Sequence, residues 1–539
     1  MAHISTRQVS NWDNYHFNGP FSARILHDIA TDRDIVLLIN RYNDCARDIQ
    51  SLIKECSDLG EGLRAFGSSW SLSNIAQHAD RMLFTGRLNI KKEITDNLLD
   101  AASGYKAENL FLFQCGITVK EISEYLLRKG KSLKTCGASN GQTIAGAIST
   151  GVHGSAIDVG SIQDGVAGLQ LIIGPGVKDV IYLERETKPA LTEDFAKSIN
   201  ARLIRSDKLF NAALVGLGSF GVIHGVVMEA EDIFLLKRYV KKIKRADALQ
   251  LAKNLDFANA VFKVAEEVQP DGTVTRPYHY KLYINPYKPQ EDFVGEIIYK
   301  KPYRSNYPNP LPFIKKSIFK DIPSWVAEFA AKHKRLIPLI LEALKTEAFP
   351  KVDDTVEGTL GEIFWDTSQS SAAFGCGFGI AITDTEKALD LFIGLMRDQG
   401  PIPGILSMRF VKGTEATVGF TKFATTCILE VDGIPWTAND NMIGLDAFLT
   451  FVIKAFKEND INFTLHWGKN APWAFPELMN TMYGKACEEW INMRSVLLSE
   501  KMGKVFSNDF LNSAQLATYN TVVPDDFIAL RNLVGTGNV

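Results

Sequence analysis

The sequence predicts a mixed α/β protein, of the α+β kind, built as two domains. Three observations predict it. Strand-like and helical stretches alternate from residue 33 to 130, a glycine-rich segment at 137–162 runs into a strand-like stretch, and the composition changes near residue 230. The boundary is accordingly set at 232. A second domain follows at 233–495, and a tail at 496–539 is expected to pack back on the first.

Taken in order, Ile35–Ile39 is a short apolar run suited to a strand. Residues 44–58 carry Ala46, Ile49, Leu52 and Ile53 at helical spacing. Leu110–Cys115 reads as a strand ending at Gly116, and Thr118 with Glu121 three residues later forms a capping signature for the next helix. Residues 165–173 read as a strand, 206–214 as a helix and 222–228 as a strand. From about 233 to 350 Lys, Tyr and Pro become frequent. Strand-like alternation returns at 354–435, and the last hundred residues look helical.

Composition excludes several classes. The chain has 539 residues, 46% hydrophobic and 22% charged, which suits a globular protein rather than a disordered one. A net charge of −3 leaves no basic excess to demand nucleic acid. The seven cysteines are odd in number, widely spaced and without a CxxC, which disfavours a disulfide framework or a metal cluster. The N-terminus has no apolar signal core and no apolar stretch reaches membrane-spanning length, so a cytoplasmic location is expected.

Two glycine-rich segments carry the chemistry. In Ala145–Ser155, small residues let the backbone approach a diphosphate closely. Ser149, Thr150 and Ser155 add hydroxyls there, and His153 a ring nitrogen; a plain tight turn is the alternative. Gly216–Gly221 spells GxGxxG, but a helix precedes it and a strand follows, the reverse of a nicotinamide site.

Together with His466-Trp467-Gly468-Lys469, these segments resemble the vanillyl-alcohol oxidase family with its PCMH-type FAD-binding domain, and within it the aldonolactone and alditol oxidase branch. The resemblance covers about 30–230 and, more weakly, 400–515. It implies FAD between two lobes of the first domain, facing a cap domain with an antiparallel sheet, and oxidation of a CH–OH group by hydride transfer to the flavin. The residues implied to hold FAD are Arg64, Gly67, Ser68, Ser69, Trp70, Ser71, Gly141, Thr143, Gly146, Ala147, Ser149, Thr150, Gly151, His153, Gly154, Ser155, Gly218, Gly221, Val222 and Ile223.

The departures from the family pattern matter. Trp70 stands where many members carry a flavin-linking histidine, so noncovalent FAD is expected. Cys136 offers a cysteinyl link, though a small buried residue is its ordinary reading. In Ser407-Met408-Arg409-Phe410 the resemblance makes Arg409 the cation near the reduced ring, while Ser407 replaces a glutamate that would help hold a polyol. His466 is expected to accept the substrate proton, with a hydrogen-bonded core histidine as its plain reading, and Lys469 to polarise the substrate oxygen or support the flavin. The bulk of Val152 is expected to bear on oxygen access.

Residues 299–351 carry eleven Lys or Arg against four acids with apolar residues interleaved. That pattern suits weak contact with an anionic membrane surface, or simply a solvated face. The substrate is expected to be a small alcohol, a polyol or lactone, or a hydroxylated apolar molecule, with oxygen or a redox partner as acceptor. Oxidation of a C–N bond, an oxidative ring closure and a catalytically silent flavin-binding protein remain open.

Overall fold

The computed structural model describes residues 3–32, 34–308, 332–364, 372–439 and 442–535. The N-terminal half has two lobes. The first is a four-stranded sheet in the order His3–Gln8, Ile25–Ala30, Arg81–Arg87, Leu63–Phe66, of which only the first pair is antiparallel. The second is a six-stranded sheet in the order Arg202–Arg205, Val180–Glu184, Val166–Ile172, Val222–Glu229, Leu110–Gln114, Lys91–Glu93. Every residue of Val166–Ile172, Val180–Glu184 and Leu110–Gln114 is buried, which explains their nearly continuous apolar runs.

The helix Leu38–Leu59 turns Ala46, Ile49, Leu52 and Ile53 inward, as their spacing predicts. Its Tyr42 hydroxyl donates to Gln170 in the central strand of the second lobe. The Thr118–Glu121 capping box is formed, and the helix Val119–Leu127 follows it. The run at residues 35–39 departs from expectation. It makes no strand; Val36 is 88% exposed and Leu38 opens the helix. An apolar run without a neighbouring strand has no ladder to join.

The helix Asp207–Leu214, the turn at 216–221 and the strand Val222–Glu229 occur in the order read from the sequence. Leu217, Gly218 and Gly221 hold φ values of 51°, 67° and 88°. A Cβ on Gly221 would lie 2.5 Å from the Ile172 carbonyl oxygen, so this turn sits directly on the central strand.

The second half is organised by an eight-stranded sheet. Its order is Thr355–Gly358, Phe234–Ile243, Phe293–Pro302, His279–Ile284, Gly404–Lys412, Thr425–Gly433, Phe374–Ala381, Phe463–Leu465, and every pair is antiparallel. One face packs on the helices Arg245–Asn254, Thr385–Asp398 and Leu445–Glu458 through residues such as Leu282, Phe378, Met408 and Leu429. The opposite face looks toward the first domain.

The chain then returns to the first domain. The helix Lys485–Leu497 packs on Asp207–Leu214, and Trp490 Nε1 donates to the Val215 carbonyl at 3.1 Å. Further on, Asn508 Nδ2 donates to the carbonyls of Ile75 at 3.0 Å and Gln77 at 2.8 Å. The return therefore begins ahead of residue 496.

Much of the basic 299–351 segment, including its interleaved apolar residues from Phe313 to Phe329, lies outside the described residues. Within the described part, Lys300, Lys301 and Arg304 are paired with Glu231, Glu267 and Glu357.

Candidate active site

A cavity of about 610 Å³ lies between the loops of the first domain and the free face of the eight-stranded sheet. Every residue expected to hold FAD lines it except Gly141 and Gly151, and so do His466, Lys469 and Arg409. Gly141 acts from behind: a Cβ there would meet the Trp70 ring at 2.6 Å. Gly151, at φ 68°, serves the turn itself.

Close backbone approach shapes the wall. A Cβ on Gly67 would overlap the Thr143 side chain, and one on Gly154 would lie 2.5 Å from the Cys136 carbonyl oxygen. Ser155 Oγ and Gln142 Oε1 line the cavity, are buried, and have no hydrogen-bond partner among the described residues. Buried polar atoms left unsatisfied at about 1–3 kcal/mol each are a reason to expect a polar ligand against this wall.

Arg64 plays a different part. Its guanidinium is buried and donates to the carbonyls of Ile75 at 3.0 Å, Gly218 at 2.8 Å and Phe506 at 3.1 Å, and also to that of Leu217. Burial, with the nearby Arg494, pulls its pKa down to about 9. It clamps the 216–221 turn and the returning chain against the first lobe.

Trp70 stacks on Tyr15, with centroids 4.3 Å apart, and meets His16 edge-on at 5.6 Å. Tyr15 N–H donates to the Ser69 carbonyl at 2.8 Å, so the N-terminal loop is fastened to this turn, and Ser69 itself sits at φ 59°. Cys136 is buried in the core and does not line the cavity, whereas its neighbour Gly137 does.

The sheet face carries the charge. Alternation places His279, Lys281 and Tyr283 on the cavity side of one strand, and Ser407 with Arg409, Glu430 with Asp432, and Glu296 on that side of others. The carboxylate missing at Ser407 is supplied across the sheet. Ser407 pairs with Glu430, whose carboxylate lies 2.7 Å from Arg409 Nε and 2.8 Å from Lys469 Nζ. Lys469 Nζ also reaches Asp432 Oδ1 at 3.1 Å. Burial would raise the Glu430 pKa, but Arg409 and Lys469 hold it well below the carboxylate range. Burial opposes the two cations, yet their carboxylate neighbours keep both pKa values raised. Arg409 therefore belongs to a buried cluster rather than to a surface ion pair.

In the tetrapeptide 466–469 the side chains divide. Trp467 points into the core, where Nε1 donates to the Val418 carbonyl at 2.8 Å and the ring stacks on Trp473 at 5.0 Å. His466 and Lys469 face the cavity. Three alternate glycines, Gly375, Gly377 and Gly379, clear the sheet beneath them; a Cβ on Gly377 would already touch His466 at 3.5 Å. His466 Nδ1 accepts the Gly468 N–H at 3.0 Å. Burial, with His153 and Lys469, holds its pKa well below the usual range. The neutral ring thus carries its hydrogen on Nε2 and presents a donor. His153 has the opposite tautomer. Its Nδ1–H donates to its neighbour's carbonyl at 3.0 Å, and burial lowers its pKa to about 4.

Sequence reasoning missed Glu430, Asp432, Glu296, Lys281, Arg238, His279 and Tyr283, all of which line the cavity. The signal was present as period-two alternation of charged and apolar residues, but such a pattern ordinarily marks a solvated face.

Residues 43–177 match the family model described as FAD binding domain. That stretch resembles the PCMH-type FAD-binding domains of flavin oxidases. Over 172 residues it is 31% identical to a putative D-arabinono-1,4-lactone oxidase of Neurospora crassa, covering 30% of this chain and 27% of that one. It is 25% identical to the D-arabinono-1,4-lactone oxidase of Yarrowia lipolytica over 181 residues, 33% of this chain and 28% of the relative. The match thus spans just over a quarter of these relatives' length. Among solved structures, a solvent-stable cholesterol oxidase shares the fold with a TM-score of 0.66 and 13% identity, covering 96% of this chain and 98% of that one. The glucooligosaccharide oxidase of Acremonium strictum gives 0.59 and 12%, covering 97% of each chain. FAD, the ligand of the matched domain, fits this wall: the unpartnered Ser155 Oγ and Gln142 Oε1 sit beside the glycine-shaped backbone of 137–155 and 216–223, where a diphosphate would find main-chain and hydroxyl donors.

Proposed function

We propose that the protein is an FAD-dependent oxidoreductase that converts a CH–OH group to a carbonyl. The observation that carries the reading is the continuity of one cavity, from the polar-orphan wall of the FAD domain to the charged sheet face holding Arg409, Glu430 and Lys469. FAD, when bound, supplies the two-electron oxidant that removes hydride from carbon.

The protein's own residues do the rest. Gly67, Gly146, Gly154, Ser149, Thr150 and Ser155 would hold the cofactor from the first domain. Arg409 and Lys469, kept cationic by Glu430 and Asp432, present positive charge to the cavity, where negative charge grows on a substrate oxygen or an electron-rich ring. His466 Nε2–H offers a hydrogen bond to that oxygen. Glu430 restores a carboxylate to the site, so a polyol or lactone fits as well as a hydroxylated apolar molecule. Phe349, Phe364 and Phe374 supply the apolar wall. Binding is noncovalent in this reading, since Trp70 replaces a linking histidine and Cys136 does not line the cavity.

The test is anaerobic mixing of purified FAD-loaded protein with polyols, aldonolactones, sterols and amines. Bleaching of the flavin by an alcohol or lactone, with FAD released by acid, supports the reading. Bleaching by amines alone, or by nothing, rejects it.

A further inference from the structure

Resting on that reading, we propose that Lys281 is the catalytic base of this site, taking the hydroxyl proton of the substrate on its Nζ. Lys281 lines the cavity on the strand His279–Ile284 and sits directly across the sheet from Arg409. Of the other cavity cations, Arg409, Lys469 and Arg238 each have a carboxylate partner, and Arg64 is taken up by four backbone carbonyls. Lys281 makes no ion pair or hydrogen bond with any described residue; its contact is the Tyr283 ring, 4.3 Å from Nζ.

The groups around it explain why the amine gives up its proton so readily. Burial and the Arg409 charge both disfavour the ammonium, while Glu430, Glu296 and Asp432 favour it more weakly. The balance brings the pKa down to about 7. A base is most effective when its pKa lies near the working pH. The alternatives are poorer acceptors. Glu430 is locked between two cations, and the His466 acceptor nitrogen is occupied by the Gly468 N–H. His153 is too weakly basic at about 4, and Glu296 lies 3.1 Å from His279 and 3.9 Å from Arg238.

The reaction balances. The substrate carbon gives up a hydride, whose electron pair passes to FAD as the oxidant. The hydroxyl proton passes to Lys281, the amine becomes an ammonium, and C–O becomes C=O.

Two measurements on the FAD-loaded protein test this. Trace acetylation with acetic anhydride across about pH 5–11, read by peptide mass spectrometry, should label Lys281 with a midpoint near 7. An ordinary lysine titrates near 10.4, and that midpoint would overturn the proposal. Stopped-flow flavin reduction by the best alcohol or lactone of the panel should rise with pH to a plateau above about 7. Lys281→Met should lose that limb and slow reduction about a hundredfold or more with FAD still bound. Lys281→Ala should be rescued by small primary amines, which a structural role would not produce. Reduction with an unchanged pH limb in Lys281→Met overturns this proposal alone. A panel that never reduces bound FAD overturns the oxidase reading, and this proposal with it.

Discussion

The two walls of the cavity work by different physics. On the first-domain side, recognition is built from backbone. Residues 137–155 and 216–223 are two short stretches of chain, and glycines bring main chain close to main chain. On the cap side it is built from side chains. Lys281, Glu296, Arg409, Glu430 and Lys469 come from separate strands or the loop beyond one, and what each does depends on its neighbours' charge. Damage to the first wall should therefore appear as lost cofactor, and damage to the second as lost chemistry or stability with the cofactor retained.

The sharpest break in that contrast is Glu430→Gln. It takes the buried carboxylate from between the half-buried Arg409 and Lys469 and leaves Lys469 with Asp432 alone. Removing one partner of a buried pair costs about 3–5 kcal/mol. Chemical denaturation should show that loss, while flavin absorbance still reports full loading. Loss of FAD instead would mean that the two walls are not separable.

Gly154→Ala is the mirror experiment. The new Cβ would meet the Cys136 carbonyl oxygen at 2.5 Å and Thr135 Oγ1 at 2.9 Å, so the loop must move. Overpacking of this kind costs about 1–3 kcal/mol. The dissociation constant for FAD, followed by quenching of free-flavin fluorescence, should rise about tenfold or more. Unchanged affinity would show that the loop carries less of the binding than its glycines suggest.

A smaller effect belongs to acid. His224 sits in the first domain's six-stranded sheet, with Nδ1–H donating to Gln170 at 2.9 Å and Nε2 accepting from Gln114 at 3.1 Å. Burial lowers its pKa from 6.5 to about 3. The folded ring stays neutral while the unfolded chain takes up a proton below 6.5, so stability falls as pH drops from about 6.5 toward 3. Melting temperatures over that range should decline less steeply in His224→Gln, although that variant starts lower at neutral pH. Equal slopes would assign the acid loss to other groups.

The smallest change is expected at Gly377→Ala. Its Cβ would find His466 at 3.5 Å and Phe420 at 3.6 Å, ordinary contact distances. Stability should shift by less than about 1 kcal/mol, on the scale of glycine-to-alanine changes. A large loss of activity would show that the glycine stripe sets the His466 position more tightly than contact alone requires.

What the sequence determined by itself was the backbone wall. The order of helix, GxGxxG turn and strand was legible, as were the Thr118–Glu121 cap and the loop 145–155, because each depends on residues within a few positions of one another. The tertiary structure alone decided the rest. Ser407 looked like a lost carboxylate until strand register set Glu430 beside it, the Gly468 N–H at His466 Nδ1 exists only once the turn is folded, and the 35–39 run met no strand partner among the described residues. Charges act through space on whatever lies within a few ångströms. In an antiparallel sheet those neighbours are chosen by pairing between distant segments, a distance that no local pattern records.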